Sequence, residues 1–434
     1  MTTLGVEMRH HGEAPGLFPP KFVRVESAVP DDQPCLAKSS GESSPPRGEE
    51  TDTTSLRVAP YQVAGHSSKG VGLPSLVDDA GHFLKPCPDD RKGAAEVDFY
   101  RRVVHARDSG AELSTTLAGF APYVPEYAGT FRADAAGIVA VAGDDPTAAH
   151  ARTIAATGQR PLFLRLEDVT AGYSKPCVVD LKIGLRTFSR TGHDPLYIAK
   201  RSKHDTRSGQ AEVGFKVCGM QTWERAGVDE RENGEREAPS SKGDKKSKSP
   251  FLKKDYKQTR WLQRRRPYDW ARNLCDKNAV RAALEDFVGC SGRRSADGGS
   301  LNSGAGSETG FGVCEVEDAK TPSGVASIKP PSSTPLPCRA SEVFGEALIQ
   351  IEGLRAWFAT QRELHLLGSS VLIVYEGDPD VSKVKKQKTR VCVIDFCNYV
   401  DSGGKLDDNF AKGLERLQEM MTAIVENEEG AGEA

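Results

Sequence analysis

The stretch PCVVDLKIG, from Pro176 to Gly184, places two charged residues, Asp180 and Lys182, in an otherwise apolar run. Side chains two positions apart on a strand point to the same face, so this carboxylate and this ammonium would converge on one site. An ordinary same-face salt bridge would also explain the pair. However, the apolar neighbours predict a buried strand, and buried charges are costly unless they are paired or functional. The stretch therefore predicts a strand that carries a candidate site.

Further short apolar runs predict more strands of an α+β fold. Each is rich in β-branched residues and bounded by Gly, Pro or charge. The runs are PLFLRLEDV (161–169), EVGFKVCGM (212–220), SVLIVYEG (370–377) and RVCVIDF (390–396). The last two are expected to pair as a hairpin with a long loop.

Two segments have helical spacing. Apolar residues recur every three or four positions from Phe344 to Leu354 and from Phe410 to Ile424. Ser341 is the expected N-cap of the first helix. Both helices are expected to face the core and to carry no chemistry.

Three other clusters offer charged groups for chemistry. Lys85 precedes Glu96 by eleven residues, a spacing that fits a strand lysine paired with a helix glutamate near nucleotide phosphates; two unrelated surface charges are the alternative. Asp395 ends an apolar strand, where an acid can hold Mg²⁺, although many strands end in Asp. The segment YIAKRSKHDT (197–206) carries Lys200, Lys203 and further basic groups for phosphates, or is a solvated face.

Composition and missing motifs exclude several classes of protein. No apolar run is long enough to span a membrane, and the N-terminus has no apolar core typical of a signal peptide. Ten cysteines without a CxxC pair argue against a zinc site or a disulfide framework, so a reducing intracellular compartment is expected. There is no GxGxxG, GxxxxGK[ST], HRD, DFG or hydrolase signature.

The organisation along the chain is predicted from composition. Residues 1–55 are predicted to be a disordered tail, 56–170 an N-lobe and hinge, 171–426 a C-lobe, and 427–434 a tail. Low-complexity insertions are expected at about 229–250 and 290–338. Between Lys242 and Arg266 there are eleven basic and two acidic residues, which suits a polyanionic partner or a nuclear import receptor, or simply a solvated linker.

Taken together and in this order, the clusters resemble the inositol polyphosphate kinase family, most of all its plant-type multikinases. The resemblance is carried by the pattern PxxxDxKxG at 176–184, SSVLIVYEG at 369–377, the IDF of 394–396 and GFKVCGM at 214–220. YQVAGH (61–66), LVDDAGHFLKP (76–86) and KGAAEVDFY (92–100) extend it. It covers about 61–425, interrupted by the two insertions.

The resemblance implies a two-lobed kinase fold, protein-kinase-like or ATP-grasp-like, with antiparallel sheets, helices and long disordered insertions. It implies ATP and Mg²⁺ as cofactors, with the nucleotide between the lobes. Lys85 would contact the ATP phosphates and Asp395 would bind Mg²⁺. Asp180 would lie at the nucleotide, on the ribose or nearer the transferred phosphate, and Lys182 would bridge the γ-phosphate and the inositol hydroxyl. The backbone of the hinge, formed by Glu167, Asp168 and Val169, would hold adenine.

On the substrate side, the resemblance implies phosphate contacts from Lys200 and Lys203, with Arg272 as a further candidate. Two positions depart from the multikinase pattern: Asn398 stands where a His is usual, and His204 replaces a lysine. Both lie on the inferred substrate side, so they bear on the inositide preferred rather than on the use of ATP.

The function implied is phosphorylation of soluble inositol polyphosphates, from trisphosphate and tetrakisphosphate toward pentakisphosphate. A hexakisphosphate kinase, a trisphosphate 3-kinase and a non-catalytic nuclear scaffold are the alternatives. Phosphoinositide lipids are a possible further substrate class, whereas a nucleic-acid partner is not expected. A monomer is expected, located in nucleus and cytoplasm because KKSKS (245–249) and QRRRP (263–267) suit nuclear entry.

Overall fold

The computed structural model describes the chain in nine stretches: 55–60, 72–109, 115–142, 148–190, 193–226, 261–289, 333–334, 339–385 and 388–432. The predicted N-terminal tail up to residue 54, the YQVAGH segment, the insertion at 229–250 and most of the insertion at 290–338 lie outside these stretches.

A five-stranded antiparallel sheet is built from the N-terminal part of the described chain. Its spatial order is β1-β2-β3-β5-β4. The strands are β1 (Arg57–Val58), β2 (Leu76–Val77), β3 (His82–Cys87), β4 (Tyr127–Arg132) and β5 (Leu162–Glu167). His82 at the start of β3 pairs with Glu167 at the end of β5, so β3 begins beside the predicted hinge.

The part of the chain that forms the first sheet also contains helices. They are α1 (Arg91–Asp108), α2 (Thr115–Phe120), a 3-10 helix (Ala121–Tyr123), α3 (Ala135–Ala142) and α4 (Ala148–Thr157). Helix α1 begins after Asp90, whose side chain accepts hydrogen bonds from the backbone N–H groups of Lys92 and Gly93, as an N-cap should. The cap fixes the first turn of α1 and with it the position of Glu96.

A six-stranded antiparallel sheet forms the second part. Its order is β12-β11-β6-β7-β8, with β9 also paired to β7. The strands are β6 (Pro176–Ile183), β7 (Phe215–Ala226), β8 (Trp261–Arg266), β9 (Ser333–Thr334), β11 (Ser370–Glu376) and β12 (Arg390–Ile394). A small separate sheet pairs β10 (Leu364–His365) with β13 (Val400–Asp401).

The helices of the second part cover this sheet, and one of them contains the basic segment YIAKRSKHDT (197–206). They are α5 (Pro195–Arg207), α6 (Gln210–Val213), α7 (Tyr268–Ala271), α8 (Lys277–Phe287), α9 (Ala340–Thr360), α10 (Pro379–Lys385) and α11 (Asp408–Gly432). None of the helices in the described stretches is long and apolar enough to cross a lipid bilayer.

The predicted strands and helices are confirmed, with corrections at their ends. β11 and β12 pair as a hairpin, and α10 lies in its long loop. The N-cap of α9 is Arg339, and the prediction of Ser341 was wrong because that residue is already inside the helix, where its amide and hydroxyl contact the Glu428 carboxylate instead. α11 continues past the predicted boundary at 426, as far as Gly432.

Aromatic stacking joins the two parts next to Asp395. Phe99 of α1 stacks on Phe396, with ring centroids 3.9 Å apart and planes 12° from parallel. Both rings are fully buried. Because Phe396 follows Asp395 directly, this contact holds the end of β12 against the helix that carries Glu96.

Gly413 of α11 tests how closely the last helix packs on the sheet. A Cβ at this position would lie 2.5 Å from the backbone N of Gly184 and 2.7 Å from the backbone O of Gly214. Backbone cannot yield as a side chain can, so we expect Gly413→Ala to lower the free energy of unfolding by about 1–3 kcal/mol, measured by urea denaturation.

Gly345 of α9 is the matched control for this substitution. An added Cβ there meets nothing within 4 Å, so Gly345→Ala should raise stability by up to about 1 kcal/mol through helix propensity. Equal effects of the two substitutions would contradict the close approach at Gly413.

Candidate active site

Lys85 lies between two carboxylates that belong to different parts of the fold. Its Nζ is 2.7 Å from Oε1 of Glu96 on α1 and also contacts Oδ1 of Asp395 at the end of β12. The predicted strand lysine and helix glutamate therefore form an ion pair, and Asp395 joins it from the second sheet. This cluster is a charged link between the two sheets.

The charge on Lys85 is secured by its partners. Burial alone would lower its pKa, but the negative charges of Asp395 and Glu96 outweigh burial and raise the pKa well above the ordinary value. The side chain therefore stays an ammonium at neutral pH.

Asp395 has a strained backbone. Its φ is 68°, and among the described residues it is the one residue other than glycine with a positive φ. Such a conformation costs about 1–3 kcal/mol and persists where the surroundings impose it. Here the Ser369 hydroxyl donates a 2.8 Å hydrogen bond to the Asp395 carbonyl, and the Phe396 amide donates to Glu96. The strain turns the carboxylate toward Lys85 and Lys182.

Asp180 and Lys182 share one face of β6, as their spacing predicted. Lys182 Nζ lies 4.0 Å from Oδ2 of Asp395 and donates a 2.6 Å hydrogen bond to the Gly368 carbonyl. Burial alone would lower the pKa of Lys182, but the acidic groups of Cys218, Asp395 and Asp180 raise it. The four predicted groups Lys85, Asp180, Lys182 and Asp395 thus belong to one electrostatic cluster.

Asp180 is a poorly solvated acid of the cluster. Only 4% of the residue is exposed, and its Oδ1 is buried without a hydrogen-bond partner among the described residues. Burial raises the pKa of its carboxyl from 3.8 to about 6; the charge of Asp395 adds to this shift and Lys182 opposes it. A poorly solvated carboxylate beside ammonium groups is a candidate ligand for a bound cation or substrate.

The predicted hinge is held by an ion pair between the two sheets. Both terminal guanidinium nitrogens of Arg390 on β12 contact the Glu167 carboxylate, one of them at 2.6 Å. This hydrogen-bonded partner lowers the pKa of Glu167. Arg390 and Asp395 lie at opposite ends of β12, so one strand is anchored both to the hinge and to the charged cluster.

The rest of the hinge leaves backbone groups for a ligand. Asp168 accepts hydrogen bonds from the amide and hydroxyl of Thr170, at 2.9 and 2.6 Å. Neither the N–H nor the C=O of Val169 bonds to another described residue. A planar base with a donor and an acceptor fits the free backbone groups of this turn.

A cavity of about 720 Å³ adjoins the hinge. All three predicted hinge residues line it, together with Tyr127 and Tyr173. Lys85 and Asp395 do not line it, so this cavity is distinct from the charged cluster.

Helix α5 carries the basic residues of the segment YIAKRSKHDT. Lys200 and Lys203 lie on its exposed face. Burial lowers the pKa of His204 and of Lys216 in β7; the charge of Lys216 adds to the first shift and that of Arg201 to the second. Lys216 was missed, although a lone lysine within the apolar run GFKVCGM was a signal for it.

Of the remaining predicted residues, Arg272 is at the surface and Asn398 lies near the carbonyl that accepts from Lys182. Arg272 is exposed at the end of α7 and pairs with Asp269. Asn398 donates to the Cys397 sulfur and approaches Gly368, whose carbonyl accepts from Lys182.

Arg264 and Arg266 of the QRRRP segment are in β8 and form ion pairs with Glu224 and Asp286, so these arginines stabilise the sheet.

The profile of the family described as inositol polyphosphate kinase matches residues 163–297 and 334–422, more than half of the chain. This chain belongs to the inositol polyphosphate kinase family. Inositol polyphosphate multikinase alpha of Arabidopsis thaliana is 28% identical over 83% of this chain and 92% of its own length. Inositol polyphosphate multikinase beta of the same plant is 26% identical over 83% and 90%.

A solved structure of the inositol phosphate multikinase Ipk2 of S. cerevisiae, in complex with ADP and Mn²⁺, is also similar. It is 15% identical with a TM-score of 0.44, covering 79% of this chain and 99% of that one.

The carboxylates of this family member fit a divalent cation only together with a ligand. The described residues contain no group of three or more His, Cys, Asp or Glu side chains that could hold a metal ion. Asp395 and the unpartnered Oδ1 of Asp180 offer two carboxylates. That number suits Mg²⁺, which binds through one or two carboxylates, water and substrate phosphates.

The raised pKa of Asp180 predicts a pH-dependent loss of stability. Its folded-state pKa lies above the unfolded value, so the contribution to stability is full below about pH 4 and is lost as pH rises through about 6. Asp180→Asn removes this titration. Relative to wild type, the variant should gain up to about 3 kcal/mol between pH 4 and pH 8.

The measurement is urea denaturation of both proteins across this pH range without nucleotide or metal. The test is how the difference in unfolding free energy between the two proteins changes with pH. Any pH-independent cost of the amide side chain cancels in that change. Parallel curves would show that Asp180 titrates normally in the folded protein.

Proposed function

We propose that this protein is an ATP-dependent kinase that phosphorylates soluble inositol polyphosphates, taking the trisphosphate and tetrakisphosphate toward the pentakisphosphate. The observation that carries the proposal is the convergence of Lys85, Asp180, Lys182 and Asp395 at the junction of the two sheets. Family membership and two plant multikinase relatives support the choice of substrate.

Each group has a place in this reaction. The hinge backbone at Val169 takes the adenine, and Lys85, fixed by Glu96, takes the phosphates of ATP. Asp395, with Asp180 beside it, holds Mg²⁺, which when bound neutralises charge on the transferred phosphate. Lys182 is left to orient the acceptor hydroxyl against the γ-phosphorus.

The transfer itself demands positioning more than covalent chemistry. The acceptor oxygen attacks the γ-phosphorus, the bond from that phosphorus to the β-γ bridging oxygen breaks, ADP leaves with the electron pair, and the hydroxyl proton is released to water. ATP and a polyphosphorylated acceptor repel each other. The ammonium groups of Lys85 and Lys182 offset that repulsion so that an in-line geometry can form.

We also propose that the protein is present in both nucleus and cytoplasm. Of the basic run from Lys242 to Arg266, only the part before Trp261 supports this proposal, and that part lies outside the described residues. Arg264 and Arg266, at the end of the run, lie in β8 and form ion pairs there.

The experiment is a phosphorylation assay with ATP, Mg²⁺ and a panel of inositol phosphates, with the products resolved by chromatography. We expect the trisphosphate to pass through tetrakisphosphate to pentakisphosphate. Lys182→Met and Asp395→Asn should each lower kcat by roughly a hundredfold or more, because each removes charge stabilisation that the transition state needs.

Lys383→Met is the control. Lys383 is exposed on α10, which follows the Glu376 end of β11, whereas Lys182 pairs with Ser370 at the other end of that strand. Its kcat should match wild type. Activity on hexakisphosphate alone would indicate a pyrophosphate-forming kinase, and a folded, ATP-binding protein without turnover of any inositide would favour a scaffold.

A further inference from the structure

Arg390, the first residue of β12, is held in place by helix α9 on both sides. The amide of Thr389, before it, donates a 2.5 Å hydrogen bond to the Glu346 carboxylate, and the amide of Val391, after it, donates one of 3.0 Å to Gln350. Gln350 also donates to the Thr389 carbonyl at 2.8 Å. The backbone of Arg390 is therefore fixed by the second part of the fold.

The guanidinium of Arg390 binds the Glu167 side chain in a two-pronged arrangement. Each of its two terminal nitrogens contacts a different oxygen of the carboxylate, and about a third of each side chain is exposed, 32% and 31%. Paired hydrogen bonds of this kind fix the relative orientation of the two groups as well as stabilising them. Because Glu167 is the last residue of β5, the arginine holds the point at which the first sheet passes into the hinge.

The remaining contacts around Glu167 extend this support along the hinge. Its amide donates a 2.8 Å hydrogen bond to the Glu126 carbonyl, and the Glu126 amide donates to its carboxylate at 3.3 Å. On the other side, the Asp168 carboxylate accepts from the amide and hydroxyl of Thr170. The turn that displays the backbone of Val169 is thus closed locally by Asp168 and held from the second sheet through Glu167.

We propose that Arg390 is a positioning residue for the nucleotide: through Glu167 it holds the hinge backbone in the conformation that receives the base, without touching the nucleotide itself. The proposal rests on the proposed function, in which the backbone at Val169 takes the adenine. Backbone groups that are fixed before binding lose less conformational freedom when the base arrives, so the affinity is higher. A fixed donor and acceptor also discriminate between two purines better than mobile ones do.

Arg390→Met keeps the length of the side chain and removes the guanidinium. We expect the KM for ATP to rise roughly tenfold with kcat within about twofold of wild type, because nucleotide binding must then order the hinge. The KM for inositol trisphosphate should stay unchanged. The preference for ATP over GTP, measured as the ratio of kcat/KM, should fall. Arg390→Lys keeps the charge but loses the two-pronged contact, so its KM for ATP should lie between those of Arg390→Met and wild type.

Arg355→Met is the matched control. Arg355 pairs with Glu415 at 3.1 Å and its side chain is similarly exposed, 36%, but this pair joins α9 to α11 within the second part of the fold. Because both ion pairs are partly exposed, Arg355→Met and Arg390→Met should each lower Tm only slightly. Arg355→Met should leave the KM for ATP at the wild-type value.

Calorimetric titration of ADP with Mg²⁺, in the absence of inositide, tests the hinge separately from the proposed function. It is applied to wild type, Arg390→Met, Glu167→Met and the double variant. If Arg390 acts through Glu167, each single substitution should weaken ADP binding roughly tenfold and the double substitution no more than either alone, because two residues that act as a unit are coupled in a double-mutant cycle.

Three outcomes would overturn the role of Arg390. Unchanged ADP affinity in Arg390→Met would show that the hinge does not need the ion pair. Additive losses, or a loss in Arg390→Met alone, would show that the guanidinium acts on the nucleotide directly. Parallel increases in the KM for ATP and for trisphosphate, with a much lower Tm, would show a general structural role. Wild-type protein that binds ADP but phosphorylates no inositide would instead refute the proposed function, and the ADP titrations would still decide the role of Arg390.

Discussion

The ion pair between Lys85 and Asp395 is the contact on which the candidate site depends. It joins a strand of the first sheet to a strand of the second across more than three hundred residues of chain. Glu96 completes it from α1, and Phe99, one turn further along the same helix, stacks on the residue after Asp395. Charge and packing therefore fix the same junction, so displacement of α1 would disturb both at once.

The arrangement is costly in the absence of a ligand. Asp395 adopts a positive φ, Asp180 is buried with an unpartnered oxygen, and Lys182 opposes Lys216. Each of these features works against folding. The apolar core beneath them, including Phe396, Phe344 and Phe410, is fully buried and supplies the stability that lets the charged groups remain. A bound cation would offset the burial of the Asp180 carboxylate, and a bound anion would offset the repulsion between the two lysines.

Periodicity and spacing predicted the strands, the two long helices and the meeting of Lys85 with Glu96, because these depend on residues close in sequence. The residues that the sequence did not identify depend on pairing between distant segments. Arg390 reaches Glu167 from 223 positions away, and no local pattern connects them. The Ser341 cap failed because α9 begins before it, with Arg339 bonded to Glu342 and to the Glu376 carbonyl. The roles given to Lys200, Lys203, Arg272 and Asn398 remain predictions.

The position of Lys216 shows why strand register matters more than motif here. Between β6 and β7 the register shifts, with Asp180 opposite Gly219 and Leu181 opposite Val217, so Cys218 is the extra residue of a bulge. Without the bulge, Lys216 would face Ile183 rather than Lys182, and it would point to the other side of the sheet. Bulges that re-aim a side chain are common beside active sites. In this protein one extra residue brings Lys216 to the face of the sheet that carries Lys182, a placement that PxxxDxKxG alone does not encode.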